Sequence, residues 1–283
     1  MNAPLRVGIV GGGLMGSGIA ETVAAAGHDV RVHEPLAQAR APSLARIVAS
    51  TERALTAGKL DSERRSALLE RISYVDELAD LADRELVIEA VLEDLAVKLD
   101  VFDRLAATVS ADAVLASNTS SIPIAALAAA IPAPERMLGL HFFSPAPVMR
   151  LVEVIPALGT SEQTLATARS FVESLGKTAV TGPDRAGFVV NMLLIPYLVG
   201  AISMFEAGFA TREDIDSGMV LGCGHPMGPL TLCDFIGLDV VCAVCDSLFE
   251  EFKRADYAAP PLLRRMLAAG RLGRKSGRGF YEY

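Results

Sequence analysis

The stretch VGIVGGGLMGSGIA, Val7 to Ala20, decides the fold. Val7 to Val10 read as a short buried strand, and Gly11-x-Gly13-x-x-Gly16 then opens a helix. Each glycine has its own physical task. Gly11 makes a tight turn, Gly13 lets a pyrophosphate approach the backbone, and Gly16 lets the helix pack closely on the strand. The unpaired N–H groups at the helix start then face the phosphates. Leu14 and Met15 fill the two positions before the third glycine and belong to the same cofactor-binding turn. A lone glycine motif is weak evidence. Here it follows a strand, opens a helix and precedes a second apolar strand ending in an acid, Glu34. An acid there accepts hydrogen bonds from the ribose hydroxyls of NAD and repels a 2′-phosphate. Arg31 and Arg40 lie close enough in sequence to keep NADP open, but NAD is the expected cofactor.

Outward from this motif, short apolar strands alternate with amphipathic helices, the mark of βαβ units around a parallel sheet. Strands are expected at Arg6–Val10, Val30–Glu34, Leu86–Ala90, Val114–Ser117, Met137–His141 and Leu151–Ile155, with Thr178–Val180 closing the series. Helices are expected at Leu14–Gly27, Pro42–Ala57, Leu95–Val109 and Thr164–Gly176. After TGPDRAG (Thr181–Gly187) strands disappear and helical patterns begin at Thr211, Pro229 and Pro260, which places a domain boundary near Arg185. The expected domains are therefore residues 1–185, binding the dinucleotide, and 186–283, all helical. The tail GRLGRKSGRGFYEY reads as a loop ending in a short apolar hook.

Bulk properties agree. The 283 residues are enough for one large domain or two ordinary ones, and 51% hydrophobic residues with 6% aromatics and no Trp suit an Ala/Val/Leu-packed α/β enzyme. A formal charge of −8 without a basic tract argues against nucleic acid as a partner. Four Cys make no disulfide scaffold in a chain of this length, and no signal peptide is evident, so the cytoplasm is expected. Cys242-x-x-Cys245 lies in an apolar helical pattern and reads as buried structural thiols, with no metal site expected. Gly187–Phe205 carries no charge, yet Asn191, Pro196 and Gly200 interrupt it. A helix buried in a domain or subunit interface fits better than a membrane span.

In open α/β sheets ligands bind beyond the carboxyl ends of the strands. This chain collects Glu34, Glu93, the run Asn118–Ser121 and His141 there. Glu153 is the oddity: it interrupts the apolar run Leu151–Ile155, and an unpaired buried carboxylate costs several kcal/mol. The intervening FFSPAPVMR is long enough to turn back, so Glu153 can meet His141. A carboxylate on one ring nitrogen fixes the tautomer and leaves the other to exchange a proton with a substrate. A His–Glu pair that merely satisfies itself inside the fold is an equal alternative from residues alone.

Taken together, GGGLMG, EAVLEDLAVK, SNTSSIPI, GLHFFSPAPVMRLVEVI, AGFVVNMLLIPY, DIDSGMVLGCGHPMGPLTLCDFIGLD and GRKSGRGFYEY resemble the L-3-hydroxyacyl-CoA dehydrogenases, most closely the short bacterial enzymes acting on 3-hydroxybutyryl-CoA. The likeness spans nearly the whole chain in order. It implies a Rossmann-type, mostly parallel sheet, a helical C-terminal domain that binds substrate and forms a homodimer, and NAD-dependent interconversion of 3-hydroxyacyl-CoA and 3-ketoacyl-CoA. It implies His141 as acid/base and Glu153 as its orienting partner. Ser120 and Asn191 are implied as substrate-positioning donors. Glu93, Lys98, Ser120, Ser144 and Lys275 are implied as cofactor contacts, and Lys59 as a contact to a CoA phosphate. Ser144 stands where the family usually has Asn, Met192 where Arg is usual, and Gly200 where a carboxylate is common. Losing both members of an ion pair together is nearly neutral. Two rivals remain at this stage: a dehydrogenase of a free hydroxy acid, gulonate- or carnitine-type, and a non-catalytic NAD-binding protein of the crystallin kind.

Overall fold

The computed structural model describes residues 3–283, which divide between Asp184 and Arg185 into two compact units. The first holds strands β1 (Arg6–Val10), β2 (Asp29–His33), β3 (Ile72–Val75), β4 (Leu86–Glu89), β5 (Val114–Ser117), β6 (Met137–Phe142), β7 (Leu151–Pro156) and β8 (Thr178–Thr181). They form one sheet in the order β3-β2-β1-β4-β5-β6-β7-β8. Every pairing is parallel except β6 with β7. Every residue of β4, β5 and β6 is buried, as expected of strands covered on both faces.

Helices α1 (Leu14–Ala25), α2 (Ala37–Thr56), α3 (Ser62–Glu70), α4 (Leu95–Thr108), α5 (Ile124–Ala128) and α6 (Glu162–Ser174) complete this unit. Polar side chains set their starts. Asp61 accepts from the Arg64 N–H, Asp94 from the Val97 N–H and Ser161 from the Thr164 N–H. Ile19 and Val23 of α1 and Phe171 and Val172 of α6 share one core with Ile9, Val32, Ile88 and Leu140 of the sheet.

Two expectations are corrected here. Helix α2 starts at Ala37 rather than Pro42, because a proline near a helix start removes only one main-chain donor and need not mark the first residue. Strand β3 was not anticipated: ISYV is short and half-exposed, so it lacks the continuous apolar run of the inner strands.

The second unit contains α7 (Val190–Glu206), α8 (Arg212–Ser217), α9 (Pro229–Ile236), α10 (Leu238–Phe252) and α11 (Pro261–Ala268), with a π-helical turn at Gly218–Gly222. Its core joins Ile195, Leu198 and Ile202 of α7 to Leu230, Val241, Leu248 and Leu263. Two buried acids tie it together. Asp216 accepts the N–H groups of Leu230 and Thr231 at the start of α9. Asp234 accepts those of Phe280 and Tyr281, pinning the tail. The tail does end in an apolar hook: Phe280 is buried against this core. Among the described residues no helix is long and apolar enough to cross a membrane. Cys233, Cys242 and Cys245 are free and buried, and burial pushes the Cys245 thiol up to about 12.

Candidate active site

The β6–β7 hairpin accounts for the acid inside an apolar strand. Its antiparallel register sets His141 directly opposite Glu153. Nδ1 of His141 lies 2.7 Å from Oε2 of Glu153. Glu153 is fully buried and His141 nearly so. The Phe143 ring, its centroid 4.7 Å from that of the imidazole, covers part of it.

The neighbouring strands end in the same region of the sheet, since Glu89 pairs with Ser117 and Ser117 with Gly139. The turn after β5 carries Ser120. Glu93 gathers that turn: its Oε1 accepts from Thr119 Oγ1 at 2.5 Å, from the Ser120 N–H at 3.1 Å and from Ser121 Oγ at 3.0 Å. Its Oε2 lies 3.2 Å from Lys98 Nζ. Burial alone would raise the Glu93 pKa, but the Lys98 charge and these hydrogen bonds outweigh it and hold the carboxyl below its ordinary range. Asn118 Oδ1 accepts the Phe142 N–H, which joins the Ser120 turn to the strand end bearing His141.

Beneath this layer is a carboxylate that the sequence reading passed over. Glu89, fully buried at the end of β4, accepts from Lys98 Nζ at 2.6 Å, Ser117 Oγ at 2.6 Å and the Val91 N–H at 2.7 Å. Its signal was fainter than that of Glu153, because LVIE is an apolar run closed by a charge, whereas LVEV in β7 has its charge inside the run.

The glycine-rich turn fits a dinucleotide. Gly11 has a φ of +99°, and a Cβ there would come within 2.7 Å of the Ala90 carbonyl oxygen. A Cβ on Gly16 would run into the Gly11 carbonyl oxygen, whereas one on Gly13 would meet open space. Gly13 is also the N-cap of α1, whose first turn has neither a side-chain cap nor an acid. Open room beside uncapped N–H groups is what a pyrophosphate requires. Leu14 is exposed and Met15 half-buried at this edge. Glu34 Oε2 accepts the Gly12 N–H at 3.0 Å and Oε1 the Leu36 N–H at 3.2 Å, so the acid is anchored beside the turn with lone pairs left over. Both cations that kept NADP open are committed elsewhere. Arg40 pairs with Asp76 and donates to the Glu34 carbonyl, and Arg31 pairs with Asp83 and the Asp80 carbonyl.

Ser144 lies on a groove bordered by Leu14, Gly18, Glu21, Arg46 and Arg53. The two arginines, on α2, and Glu21, on α1, were not anticipated, since neither helix shows a charge pattern that marks them. Burial lifts the Glu21 pKa from 4.5 to about 7, against the opposing hydrogen bond from Ser50 and the charge of Arg53. Lys59 is exposed just past α2, and its N–H bonds to the Ala54 carbonyl.

Asn191 and Lys275 are carried by the second unit. Asn191 sits half-buried in the first turn of α7. Lys275 Nζ lies 2.5 and 2.6 Å from the two oxygens of Asp239. Met192, beside Asn191, receives a contact of 3.7 Å from the Tyr257 hydroxyl. Gly200 faces open space.

Comparison with known proteins follows this geometry closely. The family model described as "3-hydroxyacyl-CoA dehydrogenase, NAD binding domain" matches residues 6–185, and that described as "3-hydroxyacyl-CoA dehydrogenase, C-terminal domain" matches residues 187–283. The 3-hydroxybutyryl-CoA dehydrogenase of Mycobacterium tuberculosis is 54% identical over 98% of each chain. The crystal structure of M. tuberculosis FadB2 superimposes with a TM-score of 0.98 over 100% of both chains, at 54% identity. That of (S)-3-hydroxybutyryl-CoA dehydrogenase PaaH1 from Ralstonia eutropha does so with a TM-score of 0.94 over 99% of both, at 41% identity. With both family models covering nearly its whole length, the chain belongs to the 3-hydroxyacyl-CoA dehydrogenases, NAD-dependent oxidoreductases.

Proposed function

We propose that this protein interconverts L-3-hydroxyacyl-CoA and 3-ketoacyl-CoA with NAD, preferring short acyl chains such as 3-hydroxybutyryl and acetoacetyl. The observation that carries the reading is the hydrogen bond between His141 and Glu153 at the site-bearing end of the sheet. The relatives' names, which specify 3-hydroxybutyryl-CoA, support the chain length.

His141 acts as the acid/base. With Nδ1 engaged by Glu153, Nε2 takes the proton from the C3 hydroxyl as that carbon is oxidised and returns it in the reverse direction. Glu153 fixes the ring and stabilises the imidazolium that forms. Ser120 and Asn191 hold the reacting oxygen by hydrogen bonds, which keeps C3 aligned. NAD, when bound, supplies the hydride chemistry. Gly11, Gly13, Leu14, Met15 and Gly16 receive its pyrophosphate and Glu34 its ribose, with Glu93, Lys98, Ser120, Ser144 and Lys275 as further cofactor contacts. Arg46 and Arg53 give the Ser144 groove a positive rim suited to CoA phosphates, and Lys59 adds a cation past the end of the same helix. Residues 1–185 thus form the NAD-binding domain and 186–283 a substrate and dimerisation domain. Exposed Leu193, Phe209 and Leu221 on the second unit supply apolar surface for a homodimer. The free thiols suit a reducing cytoplasm.

The test is substrate form. Acetoacetyl-CoA should oxidise NADH, whereas acetoacetate should not. Equal turnover of both would replace the CoA thioester with a free hydroxy acid. NADH binding without turnover of any thioester would replace the enzyme with a nucleotide-binding protein.

A further inference from the structure

We propose that Glu89 is a positioning residue that holds the Ser120 turn in place from below, through Lys98 and Ser117. The inference rests on the reading of Ser120 as the group that positions the substrate oxygen.

The Glu89 side chain reaches three groups. Val91 N–H begins the turn that carries Glu93. Ser117 Oγ donates to Glu89 and accepts the Thr119 N–H at 3.2 Å, so it hands the anchor directly to the turn. Lys98 Nζ bridges Glu89 at 2.6 Å and Glu93 at 3.2 Å. The turn is therefore strung between two carboxylates. The outer one, Glu93, binds Thr119, Ser120 and Ser121, and the inner one, Glu89, binds Ser117 and the cation they share. Each carboxylate contributes what the other cannot. Glu93 reaches the turn but is partly exposed, while Glu89 is fully buried and has no water to rely on. Lys98 is buried with it, and a buried ammonium left with one partner draws that partner towards itself. Neutralising Glu89 leaves Glu93 as the only carboxylate on Lys98, and the hydroxyls of the turn compete with the ammonium for it. Ser120 then loses its fixed position while β4 and β5 keep their main-chain pairing.

Glu89→Gln in the full-length protein preserves shape and removes the charge. Its kcat for acetoacetyl-CoA with NADH should fall about tenfold, because a loosened turn misplaces the reacting oxygen. In a Ser120→Ala background the same change should cost less than about twofold, the non-additivity expected of residues acting through one group. Equal losses in both backgrounds would mean that Glu89 acts elsewhere and would overturn the proposal. Amide hydrogen exchange at Thr119–Ile122 should accelerate in Glu89→Gln, and unchanged exchange also overturns it. The exchange readout needs no substrate, so it decides the matter even if the wild type reduces no thioester, an outcome that removes the functional reading instead. Should Glu89→Gln fail to fold, Ser117→Ala cuts the direct link and leaves the Glu89–Lys98 pair. It should speed exchange at the same amides and lower kcat about threefold. Wild-type values for both would again overturn the proposal.

Discussion

His141 and Glu153 sit on facing positions of two antiparallel strands, so their contact depends on registry more than on side-chain reach. His141→Gln keeps a polar group of similar size but removes the imidazole ring. Turnover should drop by about a thousandfold, the usual scale for losing a general acid/base, while NADH binding measured by fluorescence persists. Loss of both together would assign the imidazole a structural role. Glu21 gives a second prediction, on stability. Its pKa is raised from 4.5 to about 7, so its stabilising contribution is complete below its unfolded value and is lost as pH rises through the folded one. Glu21→Gln removes that loss. Denaturant unfolding should show variant and wild type alike near pH 4, with the variant more stable near pH 8.5 by about 2 kcal/mol after allowing for partial solvent screening. A constant difference across that range would show that Glu21 ionises as an ordinary acid. Legibility at this scale depended on where a charge sat in its run. Glu153 lies mid-strand with apolar neighbours on both sides and demanded a partner. Glu89 closes its strand, where an acid passes for the first residue of a loop, and it escaped notice although it is equally buried. Glu21 was invisible because α1 is polar and apolar by turns, and only the packing of α2 across it, with Ser50 as its partner, removes it from water.

The three glycines between β1 and α1 look alike in sequence and differ in what surrounds them. Gly13→Ala places a methyl in open space, so the protein should melt as the wild type does, yet that methyl occupies the room a pyrophosphate needs. NADH affinity should fall more than about tenfold. Gly16→Ala sets its methyl against the Gly11 carbonyl oxygen and should destabilise the fold itself by about 1–3 kcal/mol, visible as a lower melting temperature without ligand. The reverse pattern would mean that the helix, not the open face, limits binding. Secondary structure was legible in the inner strands: β1 and β5 fall where their apolar runs place them, β4, β6 and β7 differ by one residue at one end, and β2 is shifted by one residue at both ends. At the sheet's edges it was legible for β8 but not for β3, which is half-exposed and has no continuous apolar run. It was misread at α2, where Pro42 passed for a start although the helix had already begun. In the second unit, Thr211 marked the start of α8 because its hydroxyl caps the helix, accepting the Asp214 N–H.

For the whole molecule, the two units have separate cores, and in each, acids accept main-chain N–H groups: half-buried Asp184 at the start of α5, and buried Asp216 and Asp234 in the helical unit. Apolar side chains left exposed on the helical unit lead to the expectation that light scattering after gel filtration gives twice the mass of one chain. A mass of one chain at micromolar concentration would remove the homodimer from the proposal. Steady-state rates should also favour NADH over NADPH by about a hundredfold. Glu34 is anchored beside the glycine turn, and the two nearby arginines are held in other ion pairs.

The hairpin of β6 and β7 has one more implication. Because side chains alternate along a strand, a slip of a single residue would send the carboxylate to the opposite face and leave the imidazole alone. The connecting segment from Phe143 to Arg150 is itself tied down, with Ala146 in the core and the carbonyls of Ala146 and Met149 accepting from Lys177 Nζ, so the return of the chain into β7 is held in register. The meeting of the two side chains is therefore written into the weave of the backbone rather than left to the reach of flexible groups.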